Sequence, residues 1–307
     1  MYSKKIFSYY FCINLHFTLY VIYMNEETLE HFIWLIRFGI PRRKISAEKL
    51  TQNLSYLEAP VFFLSTGRCG TKWFSELLKK DKKGKVFHNP KPNFAIQNNF
   101  IYHLWKLDLS EDLKYDILKQ ILLSGRIEYF RYAYKSNKRF IETNNRITFF
   151  APLIFKIFPQ AKFVHLYRHP GDFVRSGMQR DWYSENDFYI NRLKMTDQKT
   201  WDSYNQIEKI SWLWYSTNNF IEKFKNENPD ANIYEFNFNN LNYNNVKELL
   251  TFLNISIKEK ILKKKLSKKV NVQRNEYIPK YEDWKNQDKK YIKNICKELT
   301  IKYNYKL

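Results

Sequence analysis

The sequence predicts an α/β fold in which a central parallel β-sheet carries helices on both faces. Three observations predict it. Short apolar runs bounded by turn residues alternate along the chain with amphipathic stretches of helical period, as in "APVFFLS", then "TKWFSELLKK", and later "AKFVHLY", then "PGDFVRSGMQRDW". The run "APVFFLS" has no polar alternation, so it reads as a strand buried on both faces, the usual condition of a parallel sheet. With 307 residues, 44% of them hydrophobic, the chain can bury a sizeable core.

The elements follow in order. After Pro60 comes the first strand, then a helix with Trp73, Leu77 and Leu78 on one face. "KVFHNPKP" is a short strand stopped by Pro90 and Pro92. From about residue 98 to 138 the pattern is helical and irregular. "NRITFFAPLIFKIF" places Ile147, Phe150, Ile154 and Ile157 at helical spacing and ends before Pro159, after which "AKFVHLY" is a strand. "PGDFVRSGMQRDW" opens with a proline suited to a first helical turn. A helix over about residues 207–225, the strand "NIYEFNF" and the helix "NYNNVKELLTFLNI" complete the alternation, with four strands in all. The Lys-rich "KEKILKKKLSKK" reads as a solvated helical face.

Residues 1–50 read as a hydrophobic and helical extension ahead of a main domain expected at 51–307. Residues 6–24, "IFSYYFCINLHFTLYVIYM", carry no formal charge and have the length of a short membrane span or signal anchor. Ser8, Asn14, His16 and several tyrosines dilute its apolar character, and Met24 offers an alternative start. Weak membrane association through this segment and a cytoplasmic chain are the two expectations it leaves.

A formal net charge of +21 favours an anionic partner, with solvated surface as the competing reading. Cys12, Cys69 and Cys296 are too few and too scattered for a disulfide framework or a zinc site. The six histidines show no metal-ligand spacing, so no metal is expected.

Chemistry concentrates at two turns. "FFLSTGRCGTKWF" runs from a strand through a Gly-containing turn into a helix, which gathers backbone N–H groups and a helix N-terminus around one point, an anion cradle. Its spacing is not that of a Walker A motif: two residues separate Gly67 from Gly70, and Lys72 follows Thr71. The second turn, "RHPGDFVRS", puts Arg168 at the end of a strand and Ser176 about two turns into the next helix. In an open parallel sheet both strand ends can face one crevice, so the pair points to a ligand phosphorylated at two places.

These turns resemble the two nucleotide-binding signatures of the sulfotransferase family, which uses 3′-phosphoadenosine-5′-phosphosulfate (PAPS). The family's [PS]-x-[KR]-[SA]-G-T-[TS]-[WL] is similar to "STGRCGTKW", and its R-x-P-x-x-x-x-x-S to "RHPGDFVRS". The likeness spans roughly residues 60–305, including "VNVQRNEYIPKYEDW", which looks like the C-terminal nucleotide-covering loop of membrane-type and bacterial members. Cys69 and Lys72 depart from the usual hydroxyl residues.

The resemblance implies a P-loop-like sulfotransferase architecture and sulfuryl transfer from PAPS to a hydroxyl or amino group, with a carbohydrate or glycolipid as acceptor and neither nucleic acid nor metal involved. It implies that Thr66, Gly67, Arg68, Cys69, Gly70, Thr71 and Lys72 hold the 5′ side, with Arg68 stabilising charge on the leaving phosphate. Arg168 and Ser176 hold the 3′-phosphate, and Arg274, with Lys269 and Asn271, closes over the nucleotide. Trp73 stands at a position that stacks on adenine in the family, or serves as plain core. For the base, His88 has an ordinary pKa near 6.5, suited to accepting a proton at neutral pH, or else bonds a turn backbone. Glu142 is the reserve base, or a salt-bridged structural residue. A P-loop kinase-like phosphotransferase and a non-catalytic polyanion-binding module are the competing functions. The first needs the Walker spacing and the second predicts no ordered strand-end motifs.

Overall fold

The structure, a computed structural model, describes residues 59–185, 187, 192–267 and 278–307. The extension at 1–50, its uncharged segment 6–24, and Lys269, Asn271 and Arg274 lie outside the described residues.

Five strands form one parallel sheet: β1 (Val61–Leu64), β2 (Gly84–Phe87), β3 (Arg139–Glu142), β4 (Lys162–Tyr167) and β5 (Asn232–Asn237), in the order β2-β3-β1-β4-β5. Strand β1 is central and wholly buried. Its apolar run serves two cores at once, since successive side chains point to opposite faces. Phe62 and Leu64 enter one hydrophobic cluster, whereas Val61 and Phe63 enter another.

The first cluster is covered by α2 (Ala95–Leu104), α3 (Glu111–Lys135), α4 (Ala151–Ile157) and α7 (Gln206–Glu227). The second is covered by α1 (Thr71–Leu78), α8 (Tyr243–Phe252) and α9 (Glu259–Leu266). Beyond the end of β4, α5 (Pro170–Met178) and α10 (Asn286–Lys302) pack with α7 around Phe173, Trp214 and Tyr303. A short helix, α6 (Gln198–Ser203), precedes α7, which starts on a capping box between Asn205 and Glu208.

Two features differ from the sequence reading. The fifth strand, β3, lies where only an irregular helical pattern and a candidate site segment are read. Its four residues "RFIE" are too few to show a period, and its polar ends disguise a segment that is entirely buried. The helix read over "NRITFFAPLIFKIF" begins as a 3-10 helix, Asn145–Phe150, and becomes α-helical at Ala151. Pro152 explains the break, since a proline without an N–H fits the first turn of a helix and not its interior. In the sheet, β1 pairs with β3 on one side and β4 on the other, so the chain reverses direction of winding at β1 and opens a crevice at its carboxyl end.

Candidate active site

The loop between β1 and α1 sits at that crevice. Gly67 (φ 78°), Arg68 (φ 57°) and Gly70 (φ 92°) all take left-handed conformations, which curl the chain tightly. A left-handed arginine is a strained residue of the kind held at functional sites by surrounding structure. That structure is visible. The Ser65 N–H donates to Thr148 Oγ1 at 3.0 Å, and Gly67 N–H donates to Ser65 Oγ at 3.1 Å. Asn145 Nδ2 reaches the Thr66 carbonyl at 3.4 Å, and the Cys69 thiol donates to the Gly67 carbonyl at 3.0 Å.

Cys69 is fully buried, and burial pushes its thiol up to about 11, so it is protonated and braces the loop from inside. Only its backbone can face a ligand. Gly70 caps α1 without a side chain, and the first turn of α1 holds no acid, so the positive end of this helix is left for an external anion. Thr71 is buried in that turn and Lys72 is exposed beside it. The N-terminus of α5 is different: His169 Nδ1 accepts from the Gly171 N–H at 3.1 Å and Asp172 lies in the first turn, so this end is already satisfied.

Four arginines converge here. Arg68 Nε donates to Ser176 Oγ at 3.3 Å, and Arg180 Nη1 donates to the same hydroxyl at 3.1 Å and to the Ser176 carbonyl at 2.7 Å. Arg168 pairs with Asp172 at 3.3 Å, and Asn239 Nδ2 holds that carboxylate at 2.9 Å. Arg192 makes two bonds to Asp187, at 2.6 and 3.1 Å, with its guanidinium 4.4 Å from the Trp182 ring centre. Burial, then the neighbouring Arg168, lowers the pKa of Arg68; burial, then Arg68 and Arg192, brings Arg180 down to about 10. Crowded, partly desolvated cations of this kind are stabilised by an anion.

A cleft of about 310 Å³ joins the loop to the rest of the site, lined by Thr66, Gly67, Arg68 and Thr71 on one side and by His88, Asn98, Asn145 and Arg192 among others. His88 is half-buried. Its Nδ1 lies 3.0 Å from Thr143 Oγ1, which in turn donates to the Phe87 carbonyl at 3.4 Å. The Thr143 hydroxyl accepts from Nδ1–H in one imidazole tautomer and donates to Nδ1 in the other; the first of these leaves Nε2 unprotonated. Burial holds the His88 pKa below its ordinary 6.5, outweighing the bond to Thr143, with Lys79 and Lys72 lowering it further.

Glu142 and Trp73 each have two readings in the sequence, and in both cases the geometry matches the structural one. Glu142 is completely buried at the end of β3, with both oxygens taken by Arg126 at 2.8 Å, and Arg126 also donates to the carbonyls of Pro92 and Gly125. A carboxylate locked in such a pair is a structural residue rather than a base. Trp73 is 4% exposed and packs edge-on to Phe74 in the second core cluster, which leaves no face for a base to stack on. Arg146, Arg180, Arg192 and Asn145 escaped the sequence reading. Only Arg180 carried a local signal, four residues after Ser176.

Among the described residues no group of three or more His, Cys, Asp or Glu could hold a metal, and no helix is long and apolar enough to cross a membrane. No curated protein matches the chain significantly. Among solved structures, the chain is similar to the sulfotransferase STF9 from Mycobacterium avium, with 11% identity, a TM-score of 0.49, and 82% of this chain and 78% of that one covered. It is similar also to the sulfotransferase domain from the curacin biosynthetic pathway, with 14% identity, a TM-score of 0.47, and 82% and 99% coverage. The profile of a sulfotransferase family matches residues 60–259, from the strand before the anion cradle through the whole sheet and both arginine-bearing turns, and on that match the chain belongs to the sulfotransferase family.

Proposed function

We propose that the chain transfers a sulfuryl group from PAPS to a hydroxyl or amino group of a carbohydrate or glycolipid acceptor. The observation that carries this reading is the meeting of two anion sites at one hydrogen bond. The cradle at the end of β1 and the Arg168–Ser176 turn at the end of β4 are joined by Arg68 Nε on Ser176 Oγ. PAPS has a matching pair of anions, the 5′-phosphosulfate and the 3′-phosphate. The uncapped α1 N-terminus and the crowded guanidinium groups fit such a ligand.

When bound, PAPS supplies the sulfuryl group and a phosphate leaving group. Thr66, Gly67, Gly70, Thr71 and the backbone of Cys69 bind and orient the 5′ end, with the ammonium of Lys72 alongside. Arg168 and Ser176 bind the 3′ end. Arg68 presents positive charge already in position, so little reorganisation is needed as negative charge grows. His88 Nε2 receives the acceptor's proton, its ring held by the Thr143 hydroxyl. Asn89, Asn98, Asn144 and Asn145 are among the residues lining the same cleft. Asn144 and Asn145 use amide groups to brace the surrounding loops, and an asparagine amide such as that of Asn89 or Asn98 both donates and accepts, which suits a polyhydroxylated acceptor.

Retention on immobilised 3′,5′-diphosphoadenosine tests the donor. Binding that ATP does not displace is expected, and elution by ATP at equal concentration would contradict the assignment. Screening hydroxylated acceptors with labelled PAPS then tests the acceptor class, with labelled product expected from saccharides; labelling of apolar alcohols alone would overturn the carbohydrate reading.

A further inference from the structure

We infer that Arg180 is a positioning residue that makes the site selective for the donor's 3′-phosphate by aiming the Ser176 hydroxyl proton. The inference rests on the donor reading above, and it concerns a residue outside both signature turns.

A serine hydroxyl has one proton to donate and two lone pairs. At Ser176 both lone pairs are engaged by cations, by Arg68 Nε at 3.3 Å and by Arg180 Nη1 at 3.1 Å. Ser176 is buried, and among the described residues nothing accepts its hydroxyl proton. A helical serine often donates to the carbonyl one turn back, and here the two guanidinium donors hold the oxygen in another use. The rotor is thus fixed with the proton left over for a ligand. Two charged donors on the oxygen also polarise the O–H bond, which strengthens its donation to an anion.

Arg180 is itself anchored by a second bond, to the Ser176 carbonyl at 2.7 Å, so its guanidinium is registered on the same residue it serves. Its half-buried position keeps the interaction from being screened by water. The arrangement separates labour: Arg168 supplies attraction for the 3′-phosphate, whereas Arg180 sets the direction of a neighbouring donor. It also ties the two ends of the donor together, because Arg68, which serves the 5′ end, occupies the other lone pair.

The test compares binding of adenosine 3′,5′-bisphosphate and adenosine 5′-phosphate to the full chain by calorimetry. The wild type, Arg180→Gln, Arg180→Lys, Ser176→Ala and the Arg180→Gln/Ser176→Ala double variant are measured, with ligand-free thermal unfolding as the check on folding. The wild type should prefer the bisphosphate, and Arg180→Gln should cut that preference about tenfold, the value of one charge-assisted hydrogen bond. Arg180→Lys keeps the charge but cannot span both the hydroxyl and the carbonyl, so its preference should fall partway; it carries the test if the glutamine variant does not fold. In the Ser176→Ala background Arg180→Gln should change nothing further. An undiminished preference in Arg180→Gln and Arg180→Lys, or an equal loss with and without Ser176, overturns the inference. A wild type without preference for the bisphosphate overturns the donor reading itself, an outcome visible before any variant is made.

Discussion

Substitution of Gly70 by alanine tests how the cradle is built. The φ of 92° at this residue costs an L-amino acid about 1–2 kcal/mol. An added Cβ would also stand 2.0, 2.4 and 2.5 Å from the Cε2, Cδ2 and Cζ atoms of Phe238. Phe238 is half-buried and packs against Phe74 at 6.5 Å between ring centres, so it can move only at the expense of core packing, typically about 1–3 kcal/mol for an overpacked site. The two contributions sum to about 2–5 kcal/mol, a large fraction of a domain's usual stability of about 5–15 kcal/mol. Urea unfolding followed by circular dichroism would measure it, alongside Phe238→Ala and the double variant. The clash disappears when the ring is removed and the backbone strain does not. The double variant should therefore show a favourable coupling of about 1–3 kcal/mol relative to the sum of the single changes. A Gly70→Ala protein within about 0.5 kcal/mol of wild type, the scatter of harmless surface changes, would refute the reasoning. So would the absence of coupling with Phe238.

Glu142→Ala should destabilise the fold by about 3–5 kcal/mol, because it leaves the Arg126 guanidinium buried without its counter-charge; unchanged denaturant stability with lost turnover would instead make Glu142 a base. Arg168→Ala should weaken 3′,5′-diphosphoadenosine binding by about 1.5–3 kcal/mol while the protein stays folded, and an unchanged affinity would remove Arg168 from the site. His88→Ala should lower turnover about 10²–10⁴-fold with little change in nucleotide affinity. A base must be neutral to act, and burial depresses the His88 pKa, so the acid limb of kcat/KM should lie below pH 6.5; a limb above that value would contradict the assignment. His165, fully buried with its pKa pushed down to about 4, takes up its proton near pH 6.5 only when unfolded, so it contributes stability that is complete above pH 6.5 and is lost as the pH falls toward 4. His165→Gln should flatten that dependence, as read from urea midpoints at pH 7 and 4.5, and an unaltered slope would count against it.

The strand-turn-helix grammar of this chain is local, and local grammar is legible in a sequence. An apolar run ending in a glycine-containing turn specified β1 and the cradle, since left-handed backbone at residues 67 and 70 is a property of the residues themselves. The placement of Arg168 and Ser176 eight residues apart likewise follows from helix geometry. Strand β3 was not legible, because four residues with charged ends acquire strand character only by pairing with β1 and β2. The fate of individual side chains was decided later still. Trp73 turns into the core with Phe74, Leu77 and Leu78 against Val61, Phe63 and Val164 of the sheet, and Glu142 is held in an ion pair because α3 brings Arg126 to it across 16 positions of sequence. Arg180 and Arg68, 112 positions apart in number, meet on one serine only because β1 and β4 are neighbours in the sheet. Sequence spacing encodes the order of elements and the residues that strain or cap them, whereas which charges become neighbours depends on strand order, a property no local pattern carries.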